Sequence, residues 1–214
     1  MAIVHRTTMV PGKLELLAAW LPTRAWYTGG AQPQLAKAGG FRLDDPAGAV
    51  GIEVMVVSDS SGARPVTYLV PMTYRGEPLP DAADALIGTS EHGVLGTRWL
   101  YDATHDPVFV EQVVRLLAAQ AQPQAQSESD TPDPTVTVRA AEIPFPAAGF
   151  SGSSVLDAAR WTDIAPAGTE VPVLRLHRIL GDELPADLYA WVEAPWSSPD
   201  GEISRGVFVS TQAG

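Results

Sequence analysis

The sequence of 214 residues contains no cysteine. Disulfides, thiolate nucleophiles and cysteine-ligated zinc or iron–sulfur sites are therefore excluded. It also has no apolar run approaching the roughly 20 residues that a membrane-spanning helix needs. The stretch from Met1 to Val10 includes His5 and Arg6, where a signal peptide would need an unbroken apolar segment. We therefore expect a soluble, cytoplasmic protein that does not bind membranes.

Basic residues are scarce. The chain has 14 Lys and Arg against 25 Asp and Glu, a formal net charge of −11, and its only lysines are Lys13 and Lys37. Such a field repels nucleic-acid backbones and anionic lipid, so neither is expected as a partner. It also makes tight polyphosphate binding improbable without a dedicated site. Solubility is the simpler explanation of the acidity.

Apolar residues make up 45% of the chain and charged residues only 18%, which predicts a folded core. One segment differs from the rest. Residues 120–134 are polar, are punctuated by proline and carry no large apolar side chain. Such a composition predicts a disordered linker. It divides the chain into a first module, residues 1–119, and a second module, residues 135–214.

The first module is predicted to be α+β, an antiparallel sheet with a few helices. Apolar spacing predicts one helix over residues 14–21, and Asp106-Pro107 is typical of the start of another that ends near Ala119. A shorter helix is expected over 81–87. Alternation predicts a hairpin within 52–74, in which Pro71 indicates an edge or a bulge.

The second module is predicted to be a small all-β unit. Short alternating segments lie at 136–138, 173–179, 188–192 and 206–209, and no helical periodicity competes with them. A small antiparallel sheet or a partly closed barrel fits this pattern best.

Sequence motifs for catalysis are weak. Residues 149–153 resemble the G-x-S-x-G nucleophile turn only superficially, and neither a P-loop nor a dinucleotide fingerprint is present. We therefore expect no cofactor, no metal and no catalytic residue. The main alternative is a sugar-active enzyme that uses His92, Asp102 and His105. Against it, the two histidines are thirteen positions apart, and Asp102 is already explained as a turn former.

Aromatic side chains cluster around Pro22. Such residues can stack on sugar rings, although they more often fill cores. Together with nearby basic groups they define a candidate interaction surface, consisting of Trp26, Tyr27, His92, Arg98 and His105.

Three motifs, in order and spacing, resemble a known family. They are Trp20-Leu21-Pro22 followed by Trp26-Tyr27, the strand Val70-Pro71-Met72-Thr73-Tyr74, and Tyr101-Asp102-Ala103-Thr104-His105-Asp106-Pro107 before a helix. By these three motifs, residues 13–119 resemble the N-terminal cap domain of maltokinases, which are the kinases that phosphorylate maltose in the trehalose–maltose–α-glucan pathway. The family usually has arginine directly before the Trp-aromatic pair, whereas this chain has Ala25 there and Arg24 one position earlier.

The resemblance implies a role without phosphoryl transfer. Kinases of that fold need an H-G-D-x-H loop followed by asparagine and a later D-F-D or D-F-E, whereas this sequence has no asparagine and no Asp-Phe pair. We therefore expect a non-catalytic interaction or regulatory module linked to maltose, trehalose, glycogen or α-glucan metabolism. Its partner would be a protein of that metabolism, or a glucan or sugar itself. A cap that acts in trans on a separate maltokinase is a further alternative. Residues 173–178 look like either a degenerate kinase strand or an unrelated β module.

Overall fold

The computed structural model describes residues 7–142, 150–165, 167, 174–181 and 188–212. Within these residues the fold is mostly antiparallel sheet, with 44% strand and two short α-helices. The protein is therefore predominantly β, which corrects the α+β class predicted from the sequence. Within the described ranges, no helix combines the length and apolarity needed to cross a bilayer.

The two α-helices are α1, Lys13–Trp20, and α2, Pro107–Leu117. Short 3-10 helices cover Leu21–Thr23, Ala83–Ala85 and Ala103–His105. The strands in chain order are β1 Met9–Val10, β2 Leu35–Leu43, β3 Gly51–Asp59, β4 Val66–Arg75, β5 Leu86–His92, β6 Gly96–Asp102, β7 Thr137–Arg139, β8 Ser154–Asp157, β9 Trp161–Ala165, β10 Leu174–His177, β11 Leu188–Ser197 and β12 Ile203–Gln212.

The sheet closes on itself through strands from both halves of the chain. Its order is β1-β5-β6-β4-β3-β2-β11-β12-β10-β9-β8, with β7 paired to β11. In addition, the Leu69 N–H donates to the Arg178 carbonyl and the Leu180 N–H to the Thr67 carbonyl, each at 2.9 Å. The path from β4 through β3, β2, β11, β12 and β10 thus returns to β4, as in a barrel.

Strand β3 is buried on both faces. Val54 and Val56 pack in a core that also contains Phe208 from the second half of the chain. Met55 and Val57 face the opposite way, into a second core below α1. Because side chains alternate along a strand, this burial explains the continuous apolar run in this part of the sequence.

Several elements of the first half are confirmed. Helices α1 and α2 and the β3–β4 hairpin lie where the pattern predicts them. Pro71 lies just outside the part of β4 that pairs with β6, which begins at Met72, so its missing N–H falls at a local edge. The helix expected over 81–87 is wrong. Only Ala83–Ala85 form a 3-10 turn, and Leu86 already begins the ladder with β6.

The segment 120–134 lies against the sheet, which differs from the disorder that its composition predicts. Arg42 and Gln124 exchange backbone hydrogen bonds of 2.8 and 2.9 Å, and the Gln126 side chain donates to Glu53 at 2.8 Å. Backbone and amide groups thus hold a segment that has few apolar side chains. Strand β2, before this segment, pairs with strand β11, after it, through Gly39 and Trp196, so a single sheet includes strands from both sides of the segment. The division into a cap-like and a β-rich module stays a prediction.

Asp106 caps α2 as predicted and also binds Arg75. Its buried carboxylate accepts the Val108 N–H at 3.0 Å and two guanidinium bonds from Arg75 at 2.6 and 2.7 Å. Asp106→Ala is expected to lower the free energy of unfolding by about 2 kcal/mol, since it removes both the cap and the ion pair. Urea denaturation would measure this. Asp106→Asn keeps a cap acceptor and should cost less than the alanine variant; an equal loss would contradict the role of the cap.

Candidate functional site

The first polar cluster surrounds Arg178, whose side chain is fully buried. One Nη donates to the Asp102 carboxylate at 2.5 Å and lies 3.2 Å from the Thr104 hydroxyl, while Nε donates to the Thr162 hydroxyl at 2.7 Å. The guanidinium also lies over the Trp26 ring, 4.7 Å from its centroid. A buried charge needs such compensation, so this cluster joins the two halves of the chain.

The Arg178 cluster corrects one interpretation of the sequence, for Trp26, and adds a second role to another residue, Asp102. Trp26 was expected on an interaction surface, but its side chain has no exposed area and packs between Trp20 and Tyr68. Asp102 does accept the Thr104 N–H at 3.2 Å, as a turn former would. Its stronger role is the ion pair with Arg178, which no local pattern predicts.

His92, Asp102 and His105 do not converge. His92 pairs with Gly96 at the first residue of β6, whereas Asp102 is the last residue of that strand. At about 3.3 Å per residue, these positions lie roughly 20 Å apart. His105 is exposed at the end of its 3-10 helix. The geometry therefore does not support the sugar-active enzyme built on these three residues, and the described residues contain no group of three or more metal-binding side chains.

An open cavity of about 670 Å³ lies beside the start of α1 and the β5–β6 turn. Two of the predicted surface residues, His92 and Arg98, line it. The other charged or polar groups in its wall come from α1, from β2 to β4 with the loop after β2, and from the segment 120–134. They include Lys13, Arg42, Asp45, Glu53, Tyr74 and Gln126.

Glu53 is the most buried charged group of the cavity, with 5% of its area exposed. It accepts hydrogen bonds from Lys13 at 2.6 Å, Tyr74 at 2.5 Å and Gln126 at 2.8 Å. Burial opposes its charge, but Lys13 and the other donors outweigh that cost and hold the pKa of Glu53 below its usual value. Burial, followed by the Glu53 charge, raises the pKa of Tyr74 well above its usual value. At neutral pH, Glu53 is therefore ionised and Tyr74 is neutral.

Asp45 shapes the neighbouring loop. Its carboxylate accepts the backbone N–H groups of Ala47, Ala49 and Val50, each at 2.9 Å. Three such bonds fix the loop between β2 and β3. The same bonds occupy the carboxylate of Asp45, which is the other carboxylate of the cavity wall besides Glu53.

His92 and Arg98 support the β5–β6 turn. The Nδ1 atom of His92 accepts the N–H groups of Val94 at 3.3 Å and Leu95 at 3.1 Å. Arg98 donates from Nη2 to the Leu95 carbonyl, and its buried Nε has no hydrogen-bond partner within the described residues. Both side chains are therefore partly structural, but Arg98 keeps donor capacity beside the cavity.

Tyr27 is set apart from this cavity. Its hydroxyl donates to Asp59 at 2.6 Å, and burial together with Asp59 raises the pKa of Tyr27 to about 12. Of the five predicted surface residues, two thus share the cavity, one lies in the core, and Tyr27 and His105 lie elsewhere.

Sequence reasoning missed Arg178, Glu53 and Arg42. One signal was available for Glu53, since it is the only charged residue in the otherwise apolar run 52–57 and so implies a buried partner. Arg175, in the segment 173–178 that looks like either a degenerate kinase strand or an unrelated β module, pairs with Asp163 at 2.8 Å and lies over the Trp161 ring.

Comparison with known proteins bears on the same part of the chain. Residues 20–106 match the family model of the maltokinase N-terminal cap domain, from the end of α1 to the cap of α2. A search of curated proteins found no match. The match confirms the resemblance to the maltokinase N-terminal cap domain that the sequence motifs indicate, over residues 20–106.

Proposed function

We propose that the protein acts by binding, as a non-catalytic cap-like module of maltose, trehalose or α-glucan metabolism. The match of residues 20–106 to the maltokinase cap supports the link to this metabolism. In a maltokinase, an N-terminal cap has the rest of the kinase as its neighbour. The favoured partner is therefore a maltokinase, on which this protein would act in trans.

One observation carries the choice of binding over catalysis: the buried groups Asp102, Glu53 and Tyr74 of the cap-like segment are committed to the fold. General acid–base catalysis needs a group that reaches the substrate and titrates near the working pH. Asp102 is 3% exposed and paired with Arg178. The pKa of Glu53 is lowered and that of Tyr74 is raised, both away from neutrality. Such groups stabilise the structure and are poorly suited to exchange protons with a sugar.

The test is maltose phosphorylation by a purified maltokinase with and without a stoichiometric amount of this protein. We expect a complex in sedimentation velocity and a change in KM or kcat. His105→Ala, at an exposed residue of the predicted surface, should weaken the effect, and the matched control Arg64→Ala, also exposed, should not.

A second measurement separates the alternatives. Calorimetric titration with maltose, trehalose and maltoheptaose tests whether the ligand is a sugar rather than a kinase. Turnover of ATP and maltose by the protein alone would overturn the proposal. So would the combination of no complex, no kinetic effect and no heat with any of the three sugars.

A further inference from the structure

We propose that the cavity bounded by α1, β2 to β6 and the 45–50 loop binds a small phosphate-bearing molecule, held by Arg42 and Arg98. This inference goes beyond the proposed function and does not depend on it. It assigns a ligand class to a site that lies in a strongly acidic protein.

Lys13, Arg42 and Arg98 face two carboxylates, Asp45 and Glu53. Asp45 is occupied by three backbone N–H groups, and Glu53 is occupied by Lys13 and two neutral donors. Lys13 is itself ion-paired with Glu53, at a distance of 2.6 Å. The two arginines are thus left without a carboxylate of the cavity wall.

Both arginines have hydrogen-bond donors that the described residues do not use. The half-buried Arg42 side chain makes no hydrogen bond or ion pair with the described residues, although it lies close enough to Tyr74 to affect its pKa. Arg98 donates from Nη2 to the Leu95 carbonyl, and its Nη1 makes no hydrogen bond with the described residues. Guanidinium donors without a protein partner can bind an acceptor that a ligand brings into the cavity.

The shape of the acceptor favours a phosphate over a carboxylate. Guanidinium groups bind phosphate and carboxylate oxygens through paired donors. A phosphate monoester presents three terminal oxygens, enough for two guanidinium groups, whereas a carboxylate presents only two. The cavity volume of about 670 Å³ lies within the range of ligand sites and leaves space for an organic group on the phosphate.

Calorimetric titration of the full chain at low ionic strength, in a buffer without phosphate, tests the proposal. The probes are glucose 6-phosphate, inorganic phosphate and glucose. We expect glucose 6-phosphate to bind and glucose not to bind. Inorganic phosphate that binds as tightly as the ester identifies free phosphate as the ligand, and weaker binding identifies the monoester; either result supports the site.

Variants localise the binding. Arg42→Gln and Arg98→Gln should each raise the Kd for glucose 6-phosphate about tenfold or more, since each removes a charged donor group. Arg64→Gln, an exposed arginine at the β3–β4 turn, should leave the Kd unchanged. Arg42 has no protein partner among the described residues to lose, so its variant should keep the wild-type thermal transition even if the Arg98 variant does not.

Three results would overturn the inference. They are the absence of binding to both phosphate probes, binding of glucose as tight as that of its phosphate, and a loss for Arg64→Gln as large as that for Arg42→Gln. None of them bears on complex formation with a kinase. Failure of this inference is therefore distinguishable from failure of the proposed function.

Discussion

Replacing Arg178 by methionine is expected to lower the free energy of unfolding by about 3–5 kcal/mol, the largest effect of any single substitution considered for this protein. The variant leaves the Asp102 carboxylate, which is only 3% exposed, without its counter-charge. It also removes the hydrogen bond to Thr162 and the contact with the Trp26 ring. Guanidinium denaturation followed by tryptophan fluorescence would measure the loss.

A double-mutant cycle separates the ion pair from simple loss of packing. Asp102→Asn keeps an acceptor for the Thr104 N–H but removes the charge. If the pair is coupled, the double variant should lose less stability than the two single losses added together. Arg115→Met is the matched control, because its i, i+4 pair with Glu111 is exposed and should contribute below about 1 kcal/mol. An Arg178 loss no larger than that of the control would contradict the account.

The contrast between Arg178 and α2 shows which features a sequence can reveal. The cap at Asp106, the proline at the first helical position and the apolar stripe all lie within a few residues, so the helix is predictable. Arg178 and Asp102 are 76 positions apart. Their pairing depends on closure of the sheet between β4 and the chain after β10, and no local pattern encodes that closure.

The candidate site also depends on residues that are far apart in the sequence. The interaction surface expected from the sequence includes His92 and Arg98, which line one cavity. Their cavity also needs Arg42, Glu53 and Gln126, which come from separate segments. The position of Gln126 is the least predictable, because a polar segment of this composition is typical of disorder, whereas hydrogen bonds to β2 and β3 help to hold it here.

Stability should also fall between about pH 6.5 and pH 4 because of His177. Its imidazole lies 2.9 Å from the Ser210 hydroxyl, and burial, followed by the nearby charge of Arg175, lowers the pKa of His177 to about 4. The charge of Asp163 raises the pKa of His177, but by less than burial and Arg175 lower it. The folded protein therefore keeps His177 neutral in a pH range where the unfolded chain, with an ordinary histidine pKa of about 6.5, takes up a proton.

The sign follows from this difference in proton uptake. Above about pH 6.5 neither state binds the proton, so the full stability is present; it declines as the pH falls and is lost completely near pH 4, by about 3 kcal/mol in all. His177→Gln should flatten this part of a stability–pH curve measured by urea denaturation, whereas His105→Gln, at an exposed histidine, should not. Glu53 and Asp59 have lowered pKa values, so their losses belong to more acidic conditions and are common to both variants. A wild-type curve that matches the His177→Gln curve over this window would show that His177 titrates normally in the folded protein.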